Sequence, residues 1–371
     1  MHIVWVLSNN SSAPYFNWFA ERSQQNKEVK FSFICLYPET PRMIEEMNAF
    51  GCTCYWIKYD SKHRKSGLIH SFFSVYRLLK KLKPDVVHTH LFDDSLPTLL
   101  AAKIAGVQRR VITKGDAGFH FFYQRKWVFF DMLNNRNATD IVAISEQNKK
   151  FILEKEKAKK SKTHLIHHGI PIQKSTDHKE NVKAQLISTY KLDGKFIIGN
   201  VSRLIDWKGQ KYIIEAATLV SKEFPDVVFL FIGNGETKPQ LQKQIKDAGL
   251  DQFFRFIERV EPLEMPSAYG IMHLYVHAAS YEPFGFVVAE AMVNGIPIVS
   301  TNTGSAADII LDQQNGILVA EKDSAALATG IVQSIRDYSR AKEMSQSARA
   351  TAQKIFNFEL MWDKHLALYK R

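Results

Sequence analysis

The stretch SYEPFGFVVAEAMVNGIPIVS, residues 280–300, contains a loop, a helix and a strand in close succession. Pro283 and Gly285 favour a turn, the run Phe286–Val293 is helical in character, and Ile298–Ser300 is typical of a short buried strand. A helix that leads directly into an apolar strand is the repeating unit of a parallel α/β sheet. The stretch therefore predicts an α/β fold for the part of the chain around it.

The same alternation continues on both sides of this stretch. In the first half, apolar runs predict strands at His2–Leu7, Lys30–Leu36, Thr53–Ile57, Asp85–Thr89, Arg110–Thr113 and Asp140–Ile144. In the second half they predict strands at Phe196–Val201, Val227–Ile232, Phe253–Phe256, Leu274–His277, Ile298–Ser300 and Gly316–Val319. Amphipathic runs such as Ile69–Leu82 lie between them as predicted helices. We therefore expect an α/β protein with two Rossmann-like, doubly wound domains.

A break in the pattern separates the two halves. The segment HHGIP at 167–171 interrupts the alternation, and the polar run STDHKENVK at 175–183 precedes a new strand. A length of 371 residues also fits two domains. We predict an N-terminal domain at 1–170, a linker at 171–194, a C-terminal domain at 195–353 and a last helix at 354–371.

The composition, with 45% apolar and 23% charged residues, excludes a disordered chain, a collagen-like repeat and a coiled-coil rod. No charge-free apolar stretch reaches about 18 residues, so no membrane-spanning helix is expected. The N-terminal MHIVWVLSNN reads as a first strand and not as a signal peptide. Cys35, Cys52 and Cys54 match neither a redox motif nor a zinc motif, which favours a reducing, cytoplasmic compartment.

The net charge of +11 lies entirely in the first 170 residues, which hold 26 Lys and Arg against 15 Asp and Glu. The remaining residues are balanced, with 23 of each sign. One basic cluster runs from Lys58 to Lys83, and in the other, residues 119–130, Arg125 and Lys126 stand among aromatic residues. Basic residues among aromatic residues are typical of a surface that contacts an anionic membrane. They are equally consistent with a solvated basic face beside a half-buried helix. No nucleic-acid-binding signature is present, so nucleic acid is not an expected partner.

Two segments of the second half have the residue types of a phosphate site. In GNVSRLIDWKGQK at 199–211, Arg203 and Lys208 follow a predicted strand, where two cations can clamp a diphosphate or can simply belong to an exposed loop. In FIGNGE at 231–236, Gly233 and Gly235 allow close backbone approach to a ligand, or else form a tight turn. The pair is not a complete dinucleotide fingerprint.

The quoted stretch itself carries Glu282 in the loop and Glu290 in the helix. The helix N-terminus suits a phosphate, and the two carboxylates can accept hydrogen bonds from sugar hydroxyls. The alternative is two surface glutamates near the start of a helix. An unpaired carboxylate is costly in the apolar run VVAEAMV, which favours a ligand-binding role for Glu290.

Together these motifs resemble the retaining glycosyltransferases of family 4, which have the GT-B fold. The resemblance is carried first by Glu282 and Glu290 around a Pro-Phe-Gly turn. Further segments of the second half match as well: Asn200–Arg203, Lys208-Gly209, Thr303-Gly304 and Asn315–Val319. Three earlier segments match more loosely: Asp85–His90, Ala143–Glu146 and His168–Ile170. It implies two Rossmann-like domains that face each other across a cleft. It also implies that the last helix crosses back to the first domain.

The resemblance assigns a role to each residue of the donor site. Arg203 and Lys208 would hold the donor diphosphate and stabilise the leaving group. Glu282 would contact the donor sugar and Glu290 the ribose. Backbone N–H groups at Phe284, Gly285 and Phe286 would help to bind the donor, and Pro283 would belong to the same donor-binding turn. Gly233 and Gly235 would leave room near the nucleotide. The chain contains no Asp-x-Asp motif, so no metal ion or other cofactor is expected.

Two segments depart from the family pattern in the first half. Ser8–Pro14 stands where many relatives have a glycine-rich loop, and Lys114-Gly115-Asp116 stands where many have a histidine. Either Asp116 or His120 would border the reaction centre. We favour His120, although its phenylalanine neighbours also fit a packed core histidine. His90 and Asp93 are expected on the acceptor side with Asp116.

The implied activity is glycosyl transfer with retention of configuration, from a UDP-sugar or, as second choice, a GDP-sugar. The first domain would bind a saccharide or lipid-linked acceptor, and the second the nucleotide sugar. The resemblance also implies envelope polysaccharide or glycolipid synthesis, on the cytoplasmic side and peripherally on the membrane. A nucleotide-sugar 2-epimerase of the same fold and a non-catalytic sugar-nucleotide-binding subunit are the alternatives.

Overall fold

The computed structural model describes residues 1–115 and 118–371. These residues divide into two compact units, one made of Met1–His167 with Met361–Arg371 and the other of His168–Leu360. Each unit contains a single parallel sheet flanked by helices. The prediction of two parallel-sheet α/β domains is therefore confirmed.

Within the described residues of the first unit, seven parallel strands form a sheet in the order β3-β2-β1-β4-β5-β6-β7. Its strands are β1 (His2–Ser8), β2 (Lys30–Tyr37), β3 (Thr53–Lys58), β4 (Val86–Thr89), β5 (Arg109–Lys114), β6 (Asp140–Ala143) and β7 (Thr163–Leu165). Its helices are α1 (Pro14–Ser23), α2 (Met43–Ala49), α3 (Arg64–Leu82), α4 (Phe92–Ala105), α5 (Phe119–Tyr123), α6 (Val128–Asn137) and α7 (Glu146–Glu154). The inner strand β1 is buried on both faces, which explains its nearly continuous apolar sequence.

Within the described residues of the second unit, six parallel strands are ordered β10-β9-β8-β11-β12-β13. They are β8 (Phe196–Val201), β9 (Val227–Ile232), β10 (Phe254–Ile257), β11 (Leu274–His277), β12 (Ile298–Thr301) and β13 (Ile317–Val319). The helices are α8 (Ile172–Ser175), α9 (Glu180–Thr189), α10 (Gln210–Glu223), α11 (Lys238–Asp247), α12 (Met265–Gly270), α13 (Phe286–Val293), α14 (Gly304–Ile309), α15 (Ser324–Arg336) and α16 (Tyr338–Ile355). The strand order reverses between β8 and β11. Open α/β sheets bind their ligands at such a switch point, beyond the carboxyl ends of the strands.

The last helix, α17 (Phe358–Tyr369), supplies core residues to the first unit. Trp362 is buried and stacks on Phe31, with ring centroids 5.6 Å apart. The Tyr369 hydroxyl lies 2.6 Å from Nδ1 of His88 and accepts a hydrogen bond from Nε1 of Trp5 at 3.2 Å. The first unit is therefore completed by the end of the chain.

The observed elements differ from the predicted ones in two places. Strand β7 was not predicted, because Thr163–Leu165 is short and directly follows the charged run at 154–162. The predicted linker at 171–194 lies within the second unit and contains α8 and α9, because α9 buries Val182 and packs on α12. No helix in the described ranges has the length and apolar character needed to cross a bilayer.

Candidate active site

The first candidate site lies in the second unit, in the loop between β8 and α10. Polar side chains hold this loop in shape. Asn200 Nδ2 donates to the Val276 carbonyl at 2.8 Å, and the Ser202 hydroxyl donates to Asn200 Oδ1 at 3.2 Å. Gln210 Nε2 then donates to Ser202 Oγ at 2.7 Å and to the Arg203 carbonyl at 3.0 Å. The backbone that carries Arg203 is therefore preorganised.

The two cations of this loop have different surroundings. The Arg203 side chain is exposed and has no ion-pair or hydrogen-bond partner in the described part of the chain. Lys208 is mostly buried and its Nζ contacts Oε2 of Glu282. Arg203 can therefore bind an anion directly, whereas Lys208 is held in place by a carboxylate.

Glu282 is the centre of a charged cluster at the end of β11. Its Oε2 contacts Lys208 and lies 3.4 Å from Nε2 of His277, whose Nδ1 is 3.3 Å from the Ser300 hydroxyl. Burial by itself raises the pKa of the Glu282 carboxyl. The hydrogen bond with His277 and the charge of Lys208 outweigh burial and lower this pKa to about 2. Glu282 is therefore a carboxylate at neutral pH, and His277 is a site residue that the sequence did not indicate.

Close backbone contacts join the loops that carry these residues. A Cβ added to Gly209, which has φ 72°, would lie 2.0 Å from the Ala278 carbonyl oxygen. A Cβ on Gly304 would lie 2.6 Å from the Glu282 carbonyl oxygen. The Ser305 N–H also donates to the Phe284 carbonyl at 2.6 Å. Glycines at these positions let the Lys208 and Glu282 loops pack tightly enough to meet.

The Pro-Phe-Gly turn leads directly into α13. Gly285 has φ 92° and forms the N-cap of this helix, a conformation that favours glycine. The Phe284 ring is buried and packs edge-on against His168, with centroids 5.0 Å apart, while the Phe286 ring stacks on the same histidine. Phe284 thus has a structural side chain, and the donor contacts predicted for the backbone N–H groups of Phe284–Phe286 stay a prediction.

Glu290 lies on α13 and has a different partner from Glu282. The Tyr269 hydroxyl donates to its Oε2 at 2.6 Å. Burial raises the pKa of the Glu290 carboxyl to about 7, against the lowering effect of the Tyr269 hydrogen bond. The expectation that this carboxylate needs a partner is met by Tyr269, which lies 21 residues away in sequence and had no local signal.

Gly233 and Gly235 follow β9 and lie against the Arg203 loop. Added Cβ atoms would lie 2.0 Å from the Ser202 carbonyl oxygen and 2.2 Å from that of Leu204. The glycines are therefore required by the contact between the two loops. Their predicted proximity to a nucleotide stays a prediction.

The second candidate site lies in the first unit, around a cavity of about 270 Å³. The cavity is lined by residues of four segments: Asn9, Ser61, Arg64, Leu91, Phe92, Asp93, Phe119, His120 and Gln124. Asp93 and His120, which were both predicted as site residues, thus share one cavity. Asp93 is paired with Arg64 at 2.7 Å and accepts a hydrogen bond from Asn9 Nδ2 at 3.2 Å.

His120 is oriented by a buried charge cluster. Its Nδ1 lies 2.8 Å from Oδ2 of Asp131, whose other oxygen is 3.2 Å from Lys114 Nζ. Lys114 also pairs with Glu156 at 2.9 Å, and both side chains are less than 5% exposed. Burial opposes ionisation of Asp131, but the hydrogen bond with His120 and the charge of Lys114 lower its pKa overall. The sequence did not indicate Asp131, since it reads there as an ordinary acidic residue in the first turn of α6.

The predicted acceptor-side residue His90 is not among the described residues that line this cavity. His90 is buried and its ring packs on Trp5, Phe16 and His88, with centroids 4.5, 5.1 and 4.4 Å away. It is absent from the described residues that line the cavity, because the end of β4 turns its side chain into the aromatic core. Asp116 lies outside the described residues.

Comparison with known proteins identifies the family. The model for glycosyl transferases group 1 matches residues 183–351, and the model for glycosyltransferase family 4 matches residues 23–174. The Staphylococcus aureus capsular polysaccharide biosynthesis glycosyltransferase CapM is 26% identical over 81% of this chain and 80% of its own. The Escherichia coli UDP-Gal:alpha-D-GlcNAc-diphosphoundecaprenol alpha-1,3-galactosyltransferase is 24% identical over 81% of this chain and 78% of its own.

Solved structures establish the fold. The crystal structure of Anabaena HepE in complex with UDP-glucose has a TM-score of 0.84 to this chain, with 20% identity and full coverage of both chains. Sucrose-phosphate synthase from Thermosynechococcus elongatus has a TM-score of 0.83 with 17% identity, over all of this chain and 98% of its own. Both halves of the chain thus match glycosyltransferase models, and the whole chain matches the two-domain architecture. The protein therefore belongs to the family 4, or group 1, glycosyltransferases and has the GT-B fold.

Proposed function

We propose that this glycosyltransferase moves a sugar from a UDP-sugar to a lipid-linked saccharide, with retention of configuration, in the synthesis of an envelope polysaccharide or glycolipid. The observation that carries the proposal is the cluster in which Glu282 contacts both Lys208 and His277, with the unpaired Arg203 on the same loop as Lys208, at the strand ends where α/β proteins bind ligands. The names of the relatives support the choice of substrates. CapM is assigned to capsular polysaccharide, the E. coli enzyme is named for UDP-Gal and a diphosphoundecaprenol acceptor, and HepE was crystallised with UDP-glucose.

In the proposed mechanism, the cations of the second unit stabilise the leaving nucleoside diphosphate. Arg203 offers a bidentate fork and Lys208 a point charge, so that negative charge developing on the phosphate oxygens is neutralised. The acceptor hydroxyl attacks the anomeric carbon from the face that the leaving group vacates, and the departing phosphate takes its proton. The ionised Glu282 accepts hydrogen bonds from sugar hydroxyls and keeps Lys208 in position. We propose that no metal ion is needed, because these cations supply the charge.

In the first unit, we assign His120 to contact with the substrate in the 270 Å³ cavity. Asp131 is then a positioning residue, since its carboxylate fixes the orientation of the imidazole through Nδ1 and leaves Nε2 for the ligand. Asp93 stays a predicted acceptor-side residue. Its carboxylate is already paired with Arg64, so we expect it to shape the cavity through that pair.

We also propose that the first unit contacts an anionic membrane surface on the cytoplasmic side. Phe122 and Phe129 are 60% and 66% exposed, and Arg125 and Lys126 lie exposed between them in sequence. Aromatic rings at the headgroup level and cations near anionic lipid both favour this location. Co-sedimentation with vesicles that depends on phosphatidylglycerol content and falls with salt would support the contact. Binding indifferent to both would contradict it.

The activity is tested by measuring nucleoside diphosphate release from UDP-, GDP- and ADP-sugars, with and without lipid-linked saccharides and with EDTA. We expect acceptor-stimulated release from a UDP-sugar that EDTA does not abolish. A hydrogen bond to a charged group contributes about 1.5–3 kcal/mol, so Arg203→Ala and Lys208→Ala should each slow turnover by about tenfold to a hundredfold. Lys211→Ala is the matched control, because the Lys211 side chain on α10 is 40% exposed and pairs with Asp206 at 2.8 Å.

The alternatives give different results in the same assay. A 2-epimerase would convert the sugar nucleotide without an acceptor, and a non-catalytic subunit would bind nucleotide without turnover. Near-normal turnover in both Arg203→Ala and Lys208→Ala would contradict the proposal that these two cations stabilise the leaving diphosphate. Unchanged affinity of Glu290→Ala for free UDP would contradict the ribose contact.

A further inference from the structure

A second, larger cavity lies beside the first one on the same unit. Its volume is about 890 Å³, and it is formed by two segments about 60 residues apart: Lys62, His63, Arg64, Lys65, Ser66, Tyr123, Gln124, Arg125, Lys126 and Trp127. These segments are parts of the two basic clusters that stand apart in the sequence. The fold therefore converts two separate runs of charge into one concave surface, here called the basic cavity.

The charge of the basic cavity is largely uncompensated. Five of its lining residues are Lys or Arg, and its described lining includes no Asp or Glu. Arg64 is neutralised by Asp93, but Lys62, Lys65, Arg125 and Lys126 have no carboxylate within ion-pair distance among the described residues. Cations gathered in one concave surface repel each other and raise the local concentration of anions. This arrangement favours a multiply charged anion as ligand.

Part of the wall of the basic cavity is rigid. The Arg64 guanidinium lies over the rings of both Phe92 and Trp127, with its carbon 4.7 and 4.5 Å from their centroids. Its Nε and a terminal nitrogen both lie 2.7 Å from Asp93 Oδ1. Arg64 and Gln124 line the basic cavity and the His120 cavity alike. The two cavities therefore share a wall, and one ligand can reach both.

We propose that the basic cavity binds the diphosphate group of a lipid-linked acceptor, whose saccharide extends past Arg64 into the His120 cavity. Two adjacent phosphates match the several unpaired cations better than a single carboxylate or phosphate does, because each phosphate adds charge and acceptor oxygens. The exposed ring of Tyr123 lines the cavity, and the exposed rings of Phe122 and Phe129 lie next to its lining residues in sequence; these rings suit the apolar chain of such a lipid. This inference rests on the proposed function and adds to it the place where the acceptor is recognised.

The proposal is tested with inorganic pyrophosphate, by isothermal titration calorimetry of the full-length chain. The background carries Arg203→Ala and Lys208→Ala, so that the donor clamp does not contribute. The cavity variant adds Lys65→Gln, Arg125→Gln and Lys126→Gln. The control adds Arg77→Gln, Lys80→Gln and Lys81→Gln, which removes one Arg and two Lys from exposed positions of α3 that do not line the cavity.

We expect the background and the control to bind pyrophosphate alike, and the cavity variant to lose at least tenfold in affinity. Equal affinity in all three proteins, or no binding in the background, would overturn the proposal. Because binding is measured without turnover, a failure of the proposed transferase activity leaves this result interpretable.

Vesicles distinguish a discrete site from general attraction to bilayer phosphate. The same proteins are sedimented with phosphatidylcholine vesicles that contain one-fifth phosphatidylglycerol. If pyrophosphate binding falls in the cavity variant alone, the cavity is a diphosphate site. If instead the cavity and control variants lose vesicle binding equally while pyrophosphate affinity is unchanged, the basic residues act only as a diffuse face and the proposal is wrong.

Discussion

At the scale of single residues, two glutamates of the same motif have opposite titration behaviour. The pKa of Glu282 falls to about 2, since its partners His277 and Lys208 outweigh burial. The pKa of Glu290 rises to about 7, since burial outweighs the single hydrogen bond from Tyr269. Spacing in the sequence does not separate these environments. Each carboxylate is tuned by residues from other elements.

The raised pKa of Glu290 predicts that Glu290→Gln stabilises the protein at alkaline pH. The folded protein holds this proton up to about pH 7, whereas the unfolded chain releases it near its ordinary value, 4.5. Stability should therefore fall as pH rises between these values, by at most about 3 kcal/mol. The variant lacks this loss, so thermal melts should show similar stability at pH 4.5 and a higher Tm for Glu290→Gln at pH 8.

Glu282 provides the opposite control for that experiment. Because the pKa of Glu282 is lowered on folding, its ionised carboxylate stabilises the folded protein. This stabilisation is fully present above pH 4.5, the ordinary pKa, and is lost as the pH falls towards 2. Glu282→Gln should therefore melt below the wild type at pH 8. A Tm difference between Glu290→Gln and wild type that stays constant from pH 4.5 to 8 would contradict the shifted Glu290 carboxyl.

Asp131 is predicted to act through His120. In Asp131→Asn, the amide no longer holds the imidazole as a carboxylate does, and we expect at least a tenfold lower kcat with a displaced pH profile. The matched control is Glu156→Gln, which removes the other carboxylate on Lys114 without touching His120. If both variants lose stability alike but only Asp131→Asn loses activity, Asp131 is a positioning residue. Equal losses of activity would show that the cluster is merely structural.

At the scale of elements, the site depends on how closely the connecting loops pack. The β8–α10 loop, the turn before α13 and the N-terminus of α14 meet through backbone atoms, and glycines at 209 and 304 make this possible. The motif glycines of the second unit are thus explained by loop contacts before any ligand is considered. The ion pair between Lys208 and Glu282 depends on this backbone contact between the loops.

Gly209→Ala is predicted to lower activity far more than Gly249→Ala. Both glycines have positive φ, 72° and 67°, so both substitutions cost about 1 kcal/mol of backbone strain. At Gly249 no atom lies within 4 Å of the added Cβ, whereas at Gly209 the Ala278 oxygen lies at 2.0 Å. We expect at least a tenfold loss of kcat in Gly209→Ala and wild-type kcat in Gly249→Ala, measured beside their Tm values. Equal activities would mean that the loop contact does not position Lys208.

At the scale of the whole molecule, the first unit is built from both ends of the chain. Trp362 in α17 is buried, stacks on Phe31 and lies near Phe19, with ring centroids 5.6 and 5.5 Å away. The unequal distribution of charge also belongs to this scale, since the basic first 170 residues and the neutral remainder of the chain are predicted to meet different partners. A change near residue 362 therefore affects the stability of a unit that begins at residue 1.

Trp362→Ala is predicted to destabilise the first unit by about 3–5 kcal/mol, the usual cost of removing a buried aromatic side chain. Leu360→Ala is the control on the same helix, because Leu360 is 38% exposed and should cost little. Urea denaturation followed by circular dichroism should show an earlier transition for Trp362→Ala alone. Coincident curves for the two variants would show that α17 does not stabilise the first unit.

Much of the fold could be predicted from local sequence, and the candidate donor-site residues were proposed from the same local signals. The strands His2–Ser8 and Val227–Ile232 were recognised because continuous apolar runs mark strands buried on both faces. Arg203, Lys208, Glu282 and Glu290 were predicted as donor-site residues because the residue types of a phosphate and sugar site stand at strand ends and at a helix start, and this role stays a prediction. The resemblance to the family rests on the same local motifs. Strand β7, only three residues long, was missed because so short a run has no periodicity.

The tertiary structure alone decided which of these residues meet. His120 is paired with Asp131 and with Lys114 through it, Glu290 with Tyr269, and Lys65 is brought to the cavity that Arg125 lines. His90, by contrast, turns into the aromatic core. The physical reason is that strand and helix formation depend on periodicities within a few residues, which the sequence contains directly. Contacts between distant segments depend on strand order and on the path of each crossover, which bring together residues that have no local signal of one another.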